Sequence, residues 1–249
     1  MALVGGGIKG AVAAAKYAAD HDLVLLHVGY GQASCAQERA ALEKLRGHVE
    51  RARLLTCDVV GPHEISGGRG GSGRSARPVS HSSVAVSSGG DSSQMSDPTA
   101  PGEAADPAGD PRGLLPVMIA LGVRCAVRCG AHHLVTGVSQ AIDEAQRSAA
   151  SGEGRPDHRR AFIHAADIMS EASLTPRMRV AVEAPLIQMS YPDVLRLAVR
   201  FQVPLDKTWT CVTGGPAPCR KCTACVTRRA AFRAASMTDP LDLRHVTEG

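Results

Sequence analysis

The stretch MALVGGGIKGAVAAAKYAADHDLVLLHV, Met1 to Val28, decides the fold of this chain. Ala2 to Val4 predicts a short strand, and after a glycine turn an alanine-rich helix is expected from about Ile8 to Ala19. The run DLVLLHV, Asp22 to Val28, is typical of a strand buried on both faces. A strand, a helix and a second buried strand in this order indicate a parallel sheet covered by helices.

The same alternation continues along the chain, so this stretch is the first unit of a larger sheet. Further strand patterns follow at Ala52–Val60, His133–Val138 and Arg179–Glu183. One helical pattern, SCAQERAALEKLRG, ends at Gly47. Two others begin at prolines, Pro116 and Pro156, and run to about Cys129 and about Ala172. A fourth follows Ser190, which is the predicted cap, with Pro192 and Asp193 in its first turn. We therefore predict an α/β fold with a Rossmann-like parallel sheet.

One stretch interrupts the alternation. Residues 66–109 are dominated by Gly, Ser and Pro and contain no aromatic residue, Leu or Ile. Such a composition cannot bury enough apolar surface to order a chain, so we predict a disordered insertion there. The Rossmann-like domain then comprises residues 1–65 and 110–205, a C-terminal segment follows at 206–236, and residues 237–249 form a tail.

The overall composition excludes several classes of protein. Lys and Arg number 28 against 24 Asp and Glu, and the basic residues are spread along the chain, so we expect no direct nucleic-acid partner. No apolar stretch approaches the roughly 18 residues of a membrane span, so we expect a soluble protein with no membrane partner. The N-terminus lacks a basic start, and Lys9 interrupts its apolar part, which argues against a secretory signal.

The eight cysteines divide into two groups. Four are scattered through strand and helix patterns, namely Cys35, Cys57, Cys125 and Cys129. The other four lie within fifteen residues, in WTCVTGGPAPCRKCTAC with the spacing C-x7-C-x2-C-x2-C, namely Cys211, Cys219, Cys222 and Cys225. Metal-ligand spacing favours the reducing cytoplasm over a disulfide framework. Four thiolates suit a closed, tetrahedral zinc site, while an iron–sulfur cluster and clustered free cysteines stay open as alternatives.

The segment PLIQMSYPDVLRLAVRFQVPLDKTWTCVTGGPAPCRKCTACVTRRAAF, Pro185 to Phe232, resembles the C-terminal part of the 7-cyano-7-deazaguanine synthase (QueC) family of PP-loop ATPases. The family pattern is P-L-I-x-L-S-K-x-x-I, then G-V-P-L-x-x-T-W-S-C, then G-G-x-x-x-C-G-x-C-x-x-C-x-x-R-x-x-A-F. The resemblance implies a PP-loop fold of the adenine nucleotide alpha hydrolase type and a C-terminal four-cysteine segment that binds structural Zn²⁺. ATP and Mg²⁺ are the other cofactors that it implies.

Weaker matches upstream concern the substrate. GYGQ at Gly29–Gln32 resembles the family's D-Y-G-Q, and TGV at Thr136–Val138 resembles its I-G-V. RPDHRRAFI at Arg155–Ile163 resembles Y-P-D-C-R-P-E-F-I. The substrate-binding residues that this resemblance implies are Tyr30, Gln32, Asp157 and Arg159. It also implies a homodimer and a reaction that turns 7-carboxy-7-deazaguanine, ammonia and ATP into the nitrile used for queuosine.

The ATP side departs from the family pattern. The family's pyrophosphate loop is S-G-G-x-D-S, and this chain has GGGIKG, so the ATP-binding positions are Gly5, Gly6, Gly7, Lys9 and Gly10. Replacement of the Asp by Lys9 removes an expected magnesium ligand. DPRGLL keeps the Arg of the family's P-G-R-N-L-L as Arg112 but has Gly113 for Asn, and Tyr191 replaces the Lys of L-S-K. The string SGGDS at Ser88–Ser92 is one residue short of the loop and is a coincidence of low-complexity sequence.

Two functions of different classes therefore stay open. The first is a divergent ATP-dependent C–N ligase that acts on a 7-deazapurine carboxylate. The second is a catalytically silent homologue that keeps the fold and the zinc site as a binding module, in which case GGGIKG is only a permissive turn. An RNA-modifying PP-loop enzyme is disfavoured by the lack of basic runs, and no catalytic residue is predicted.

Overall fold

The structure is a computed structural model that describes residues 1–48, 52–59, 113–143 and 155–243. The predicted insertion at 66–109, with its SGGDS string, lies outside the described residues. Arg112, the end of the third predicted strand at Val60 and the last part of the predicted tail lie outside them as well.

Five parallel strands of the described residues form one sheet. They are β1 (Ala2–Leu3), β2 (Val24–Gly29), β3 (Arg53–Asp58), β4 (His133–Thr136) and β5 (Ala181–Glu183). Their order is β3-β2-β1-β4-β5, and Leu3 of β1 is opposite Leu26 on one side and Thr136 on the other. The order reverses between β1 and β4, as in doubly wound α/β proteins. The predicted Rossmann-like parallel sheet is confirmed.

Helices connect and cover these strands. They are α1 (Ile8–Ala18), α2 (Cys35–Arg46), α3 (Leu114–Cys129), α4 (Arg160–Ser173), α5 (Tyr191–Arg200), α6 (Thr223–Ala234) and the single turn α7 (Pro240–Leu243). The predicted cap of α5 is confirmed, because the Ser190 hydroxyl accepts a hydrogen bond from the Asp193 backbone N–H at 3.4 Å. None of the helices in the described residues combines the length and the apolar composition that a membrane span needs.

The predicted continuous helix from Pro156 is wrong in its first turn. Pro156–His158 is a short 3₁₀ turn, and Arg159 is extended with φ −82° and ψ 149° before α4 begins. The Arg159 carbonyl accepts the first backbone hydrogen bonds of α4, and the Arg160 N–H donates to the side chain of Gln140 at 2.9 Å. A contact with a distant part of the chain therefore sets where the helix begins, which local periodicity cannot show.

Apolar side chains are buried on both faces of the sheet. On β2, Leu25 packs on one face with Leu195 of α5 and Phe232 of α6. Its neighbour Leu26 packs on the other face with Ile119 of α3. Successive residues of a strand point to opposite faces, which is why this apolar run needs helices on both sides. Burial of each such side chain contributes roughly 1.5–3 kcal/mol to stability.

Candidate functional site

A cavity of about 330 Å³ lies at the carboxyl edge of the sheet, beside the point where the strand order reverses. Ligands of open α/β sheets bind in the crevice at this position. We call this cavity the cleft. Residues from distant parts of the chain line it, among them Lys9, Tyr30, Glu38, His158, Tyr191 and Trp209.

The glycine turn between β1 and α1 borders the cleft. Gly6 has φ +73°, and a Cβ there would lie 2.9 Å from the Glu38 carbonyl oxygen, so both the conformation and the space require glycine. Gly7 is the N-cap of the 11-residue helix α1 and provides no side-chain cap. The first N–H groups of α1 therefore lack a side-chain acceptor, and with the helix dipole they favour an anion at this end.

The end of β4 packs directly on this turn. A Cβ on Gly137 would lie 2.6 Å from the backbone nitrogen of Gly10 and 2.7 Å from the carbonyl carbon of Lys9. Only glycine permits this approach of two backbones. Through Gly137 the TGV segment therefore positions the first turn of α1, and Thr136 and Val138 line the cleft beside it.

Lys9 introduces a positive charge into the cleft. Its ammonium makes no hydrogen bond or ion pair with any described residue. Burial, followed by the nearby charge of Arg155, lowers the pKa of Lys9 to about 8, against an opposing effect of Asp143. Burial, with Arg155 and Lys9, also lowers the pKa of His158 to about 4. At neutral pH the cleft therefore contains a charged lysine beside a neutral histidine.

The acidic groups behind His158 already have partners. The Arg155 guanidinium contacts both carboxylate oxygens of Asp157, with Nη2 to Oδ2 at 3.1 Å and Nε to Oδ1 at 3.3 Å. The Arg155 backbone N–H donates to Asp143 Oδ2 at 2.9 Å, and the other Asp143 oxygen lies 3.7 Å from His158 Nδ1. These contacts hold the 3₁₀ turn so that His158, rather than Asp157, lines the cleft.

Glu38 on α2 is a cleft residue that sequence reasoning missed. Its Oε2 lies 2.9 Å from His27 Nε2 and accepts a hydrogen bond from Gln32 Nε2 at 2.9 Å, and its Oε1 accepts one from the Ser34 hydroxyl at 2.6 Å. Burial opposes ionisation, but these hydrogen bonds outweigh it and hold the pKa of Glu38 below its ordinary value. A fully buried histidine within the apolar strand β2 was the available signal, because it requires a polar partner.

The residues predicted from the family resemblance occupy different environments. Gly5, Gly7, Lys9, Gly10 and Tyr30 line the cleft, whereas Gly6 is buried beneath it. Gln32 is buried and accepts the Tyr30 backbone N–H at 2.8 Å, so it orients Tyr30 from behind. Asp157 is buried in its ion pair, and Arg159 is exposed. The structure therefore brings Tyr30 into the cleft but leaves Gln32, Asp157 and Arg159 outside its lining.

The four clustered cysteines form a group that can hold a metal ion. The Sγ atoms of Cys211, Cys219, Cys222 and Cys225 all lie within 4.8 Å of one another. The Cys219 N–H donates to Cys211 Sγ, and the Cys222 N–H donates to Cys219 Sγ, each at 3.3 Å. Backbone N–H donors from Cys222 and Lys221 lower the pKa of Cys219 to about 6. A thiolate, which is the form that binds metals, is therefore favoured at neutral pH.

The cysteine segment is joined to the glycine turn of the cleft. The Trp209 backbone N–H donates to the Gly6 carbonyl at 2.8 Å, and its indole N–H donates to the Cys211 carbonyl at 2.7 Å. The second contact places the indole of Trp209 against the cysteine loop. From α2, the Gln37 side chain donates to the Gly214 carbonyl at 2.5 Å. Trp209 thus connects the cysteine segment to the glycine turn of the cleft.

A buried ion pair fastens α6 to the segments around it. Arg228 is 3% exposed, and its guanidinium contacts the two carboxylate oxygens of Asp239 at 2.7 and 2.9 Å. It also donates to the Thr208 hydroxyl at 2.8 Å, one residue before Trp209. Paired and hydrogen-bonded in this way, a buried charge can be accommodated.

Comparisons with known proteins agree on one family. Residues 112–236, half of the chain, match the family model of "Queuosine biosynthesis protein QueC". The 7-cyano-7-deazaguanine synthase of Acidobacterium capsulatum is 29% identical over 96% of this chain and 94% of its own length. The synthase of Chlorobium phaeobacteroides is 25% identical over 96% and 94%, and that of a Synechococcus strain, RCC307, is 37% identical over 49% and 53%.

The solved structures that the chain resembles include a tRNA thiolase. The U34-tRNA thiolase NcsA from Methanococcus maripaludis, with its 4Fe-4S cluster, is 10% identical to this chain with a TM-score of 0.41. The match covers 95% of this chain and 72% of the thiolase. A likeness at this level carries no argument about the cofactor or the function of this chain.

Proposed function

The chain belongs to the family of the queuosine biosynthesis protein QueC, and we propose that it is an ATP-dependent 7-cyano-7-deazaguanine synthase. The proposed reaction converts 7-carboxy-7-deazaguanine and ammonia to the corresponding nitrile, and ATP supplies the free energy. The cleft carries this proposal, because one cavity combines the glycine turn, the uncapped N-terminus of α1 and Tyr30 at the edge of the sheet where ligands bind.

The chemistry requires two activations of a poor electrophile. Adenylation of the substrate carboxylate releases pyrophosphate, and ammonia then displaces AMP to form an amide. A second ATP adenylates the amide oxygen, and loss of AMP and a proton leaves the nitrile. The contribution of the protein is to align the phosphates with the acceptor oxygen and to stabilise the charge on the departing pyrophosphate. We propose that the N-terminus of α1 and Lys9 contribute to the second task, because both border the cleft.

Individual roles follow from the surroundings of each residue. Tyr30 is the proposed contact for the deazapurine, and Gln32 orients it through the Tyr30 N–H. Asp157 is proposed to act indirectly, because its pairing with Arg155 holds the turn that carries His158. Arg159 is exposed beside this turn, and we propose that it contacts the part of the substrate that extends out of the cleft.

We propose Zn²⁺ as the metal of the four cysteines. A tetrahedral ion with Zn–S bonds of about 2.3 Å separates its sulfurs by about 3.8 Å, and four sulfurs within 4.8 Å of one another suit one such ion. A 4Fe-4S cluster would place each sulfur on a different iron, and a 2Fe-2S cluster would divide the four sulfurs between two irons, so either would spread them further. Because all four ligands come from the protein, the ion would be structural and would hold the segment that contacts Gly6 through Trp209. Elemental analysis and the absence of cluster absorption in the visible range would test this.

Turnover assays test the proposed function. The purified protein is incubated with ATP, ammonia and 7-carboxy-7-deazaguanine, with and without Mg²⁺, and nitrile and AMP are measured. Gly6→Ala should lower turnover by at least about tenfold, because the new Cβ meets the Glu38 carbonyl at 2.9 Å. Gly47→Ala is the matched control, since its Cβ would meet only ordinary contacts. The proposal would be overturned if the wild-type protein showed no turnover and no ATP binding by calorimetry.

A second candidate function rests on the altered ATP side. Lys9, Gly10, Gly113 and Tyr191 all differ from the family pattern, and they would be tolerated in a catalytically silent homologue that uses the fold and metal segment for binding. This candidate predicts that the protein binds a 7-deazapurine without producing AMP. The same assays therefore separate the two functions.

Assembly and location stay predictions. A homodimer would be seen by size-exclusion chromatography with light scattering. Localisation in the cytoplasm and the expected lack of nucleic-acid binding are tested by fractionation and by an electrophoretic shift with tRNA.

A further inference from the structure

The carboxylate that lines the cleft is a poor ligand for Mg²⁺. This ion needs near-octahedral oxygen ligands, usually one or two carboxylates with waters and phosphates. Among the described residues that line the cleft, Glu38 is the one carboxylate, and both of its oxygens already accept hydrogen bonds. Nearby Asp143 and Asp157 are held by Arg155 and do not line the cleft.

Lys9 opposes a divalent cation at the position where the family has its Asp. Two positive charges in a partly desolvated cavity repel each other more strongly than they do in water. Lys9 lines the cleft and has no acceptor among the described residues, and Arg155 adds positive charge beside it. The described residues on this side of the cleft therefore do not fit Mg²⁺.

The same features complement an anion. The Lys9 ammonium, the free N–H groups at the start of α1 and the glycine turn all border one cavity. An ammonium can neutralise phosphate oxygens directly, as the lysine of a P-loop does, although it acts as a point charge rather than as a bridging ligand. His158 is neutral at pH 7 and so adds a hydrogen-bonding group without further charge.

We infer that this cleft binds the di- or triphosphate of its nucleotide directly through Lys9 and the N-terminus of α1, without a magnesium ion. The inference rests on the proposed function for the identity of the nucleotide. It deepens that function, because it assigns Lys9 as the phosphate-binding residue of a magnesium-independent site.

Calorimetry with two probes, sodium pyrophosphate and ATP, tests the inference. Each is titrated into the full chain in EDTA and in excess Mg²⁺. The wild-type protein should bind pyrophosphate in EDTA at least as tightly as in Mg²⁺. Lys9→Met should weaken binding by roughly tenfold or more, because a charge-assisted hydrogen bond contributes about 1.5–3 kcal/mol. Lys9→Asp should bind only when Mg²⁺ is present.

Controls separate this inference from general damage to the fold. Lys16→Met removes an exposed lysine from the other end of α1 and should leave binding unchanged. Thermal melts of all variants report folding, and a folded Lys9→Met variant that binds pyrophosphate as tightly as the wild-type protein would overturn the role of Lys9. If the wild-type protein bound the two probes only in the presence of Mg²⁺, the inference would be overturned and the proposed function would stay intact.

The two probes also separate the two proposals. Lys9-dependent binding of pyrophosphate in EDTA, without binding of ATP, would support the phosphate site and contradict the proposed ATP-dependent function. Binding of neither probe would overturn both.

Discussion

At the scale of single residues, the charge of Lys9 should set how the cleft responds to pH. A lysine with a pKa lowered to about 8 is charged below that value and neutral above it. The affinity for pyrophosphate in EDTA should therefore begin to fall as the pH rises past about 8, and it should continue to fall up to the higher pKa that Lys9 has when the anion is bound. Arg155, Asp143 and His158 lie near Lys9, and because burial lowers the pKa of His158 to about 4, this histidine stays neutral throughout the range.

This pH dependence can be measured by calorimetry between about pH 7 and pH 10. Lys9→Met is the reference for the titration of pyrophosphate itself and should show none of the effect that Lys9 causes. Wild-type and Lys9→Met profiles of the same shape would contradict the prediction.

Glu38 is a second single residue whose charge has a measurable role. Glu38→Gln replaces one acceptor oxygen by an NH₂ group, so at least one of the donors from His27, Gln32 and Ser34 loses its acceptor in the interior. We expect a loss of about 1–3 kcal/mol in the free energy of unfolding, measured in urea. Glu43→Gln on the same helix changes an exposed carboxylate and should alter stability by less than about 0.5 kcal/mol. Equal effects of both variants would show that the Glu38 network does not stabilise the fold.

At the scale of elements, the cysteine segment should control the order of the glycine turn. The chain has one tryptophan, Trp209, which joins the two. Removal of the metal with a chelator, or Cys219→Ser, should release the indole from the Cys211 carbonyl and shift its fluorescence to longer wavelength. Pyrophosphate affinity should fall as well, because the same residue holds the Gly6 carbonyl.

Cys57→Ser is the control for this experiment. Cys57 lies on β3, outside the four-cysteine cluster, so the metal content and the emission of Trp209 should stay as in the wild-type protein. An unchanged emission spectrum after complete loss of the metal would contradict the proposed connection between the segment and the cleft.

At the scale of the whole molecule, Arg228 on α6 joins the chain after this helix, at Asp239, to the segment before the cysteine cluster, at Leu205 and Thr208. Arg228→Met should destabilise the protein by about 3–5 kcal/mol, because it leaves the Asp239 carboxylate buried without a partner. The double variant Arg228→Met with Asp239→Asn should recover part of this loss, since it no longer buries a charge. Urea unfolding measures both, and Arg233→Met, at an exposed position of the same helix, is the control. A similar loss of stability in Arg228→Met and in the control Arg233→Met would argue against the ion pair as the cause.

Much of the fold could be predicted because it depends on local pattern. The apolar run of β2 has to be covered on both faces, Ser190 begins α5, and the spacing of the four cysteines places their sulfurs together. Each of these outcomes depends on residues within a few turns of one another. The start of the helix predicted from Pro156 was wrong because it does not depend on local pattern alone. Gln140, from elsewhere in the chain, contributes to the start of this helix.

Composition, periodicity and motifs were enough to predict the α/β class, the family resemblance and the four cysteines that can hold a metal ion. Which side chains share the cleft depends instead on the three-dimensional arrangement: Glu38 and His158 line it, whereas Gln32, Asp157 and Arg159 do not. It also decided that Trp209 would hold Gly6, a contact across about two hundred residues. The physical reason is that burial, desolvation and hydrogen bonding depend on distances between elements, and neither composition nor periodicity contains those distances.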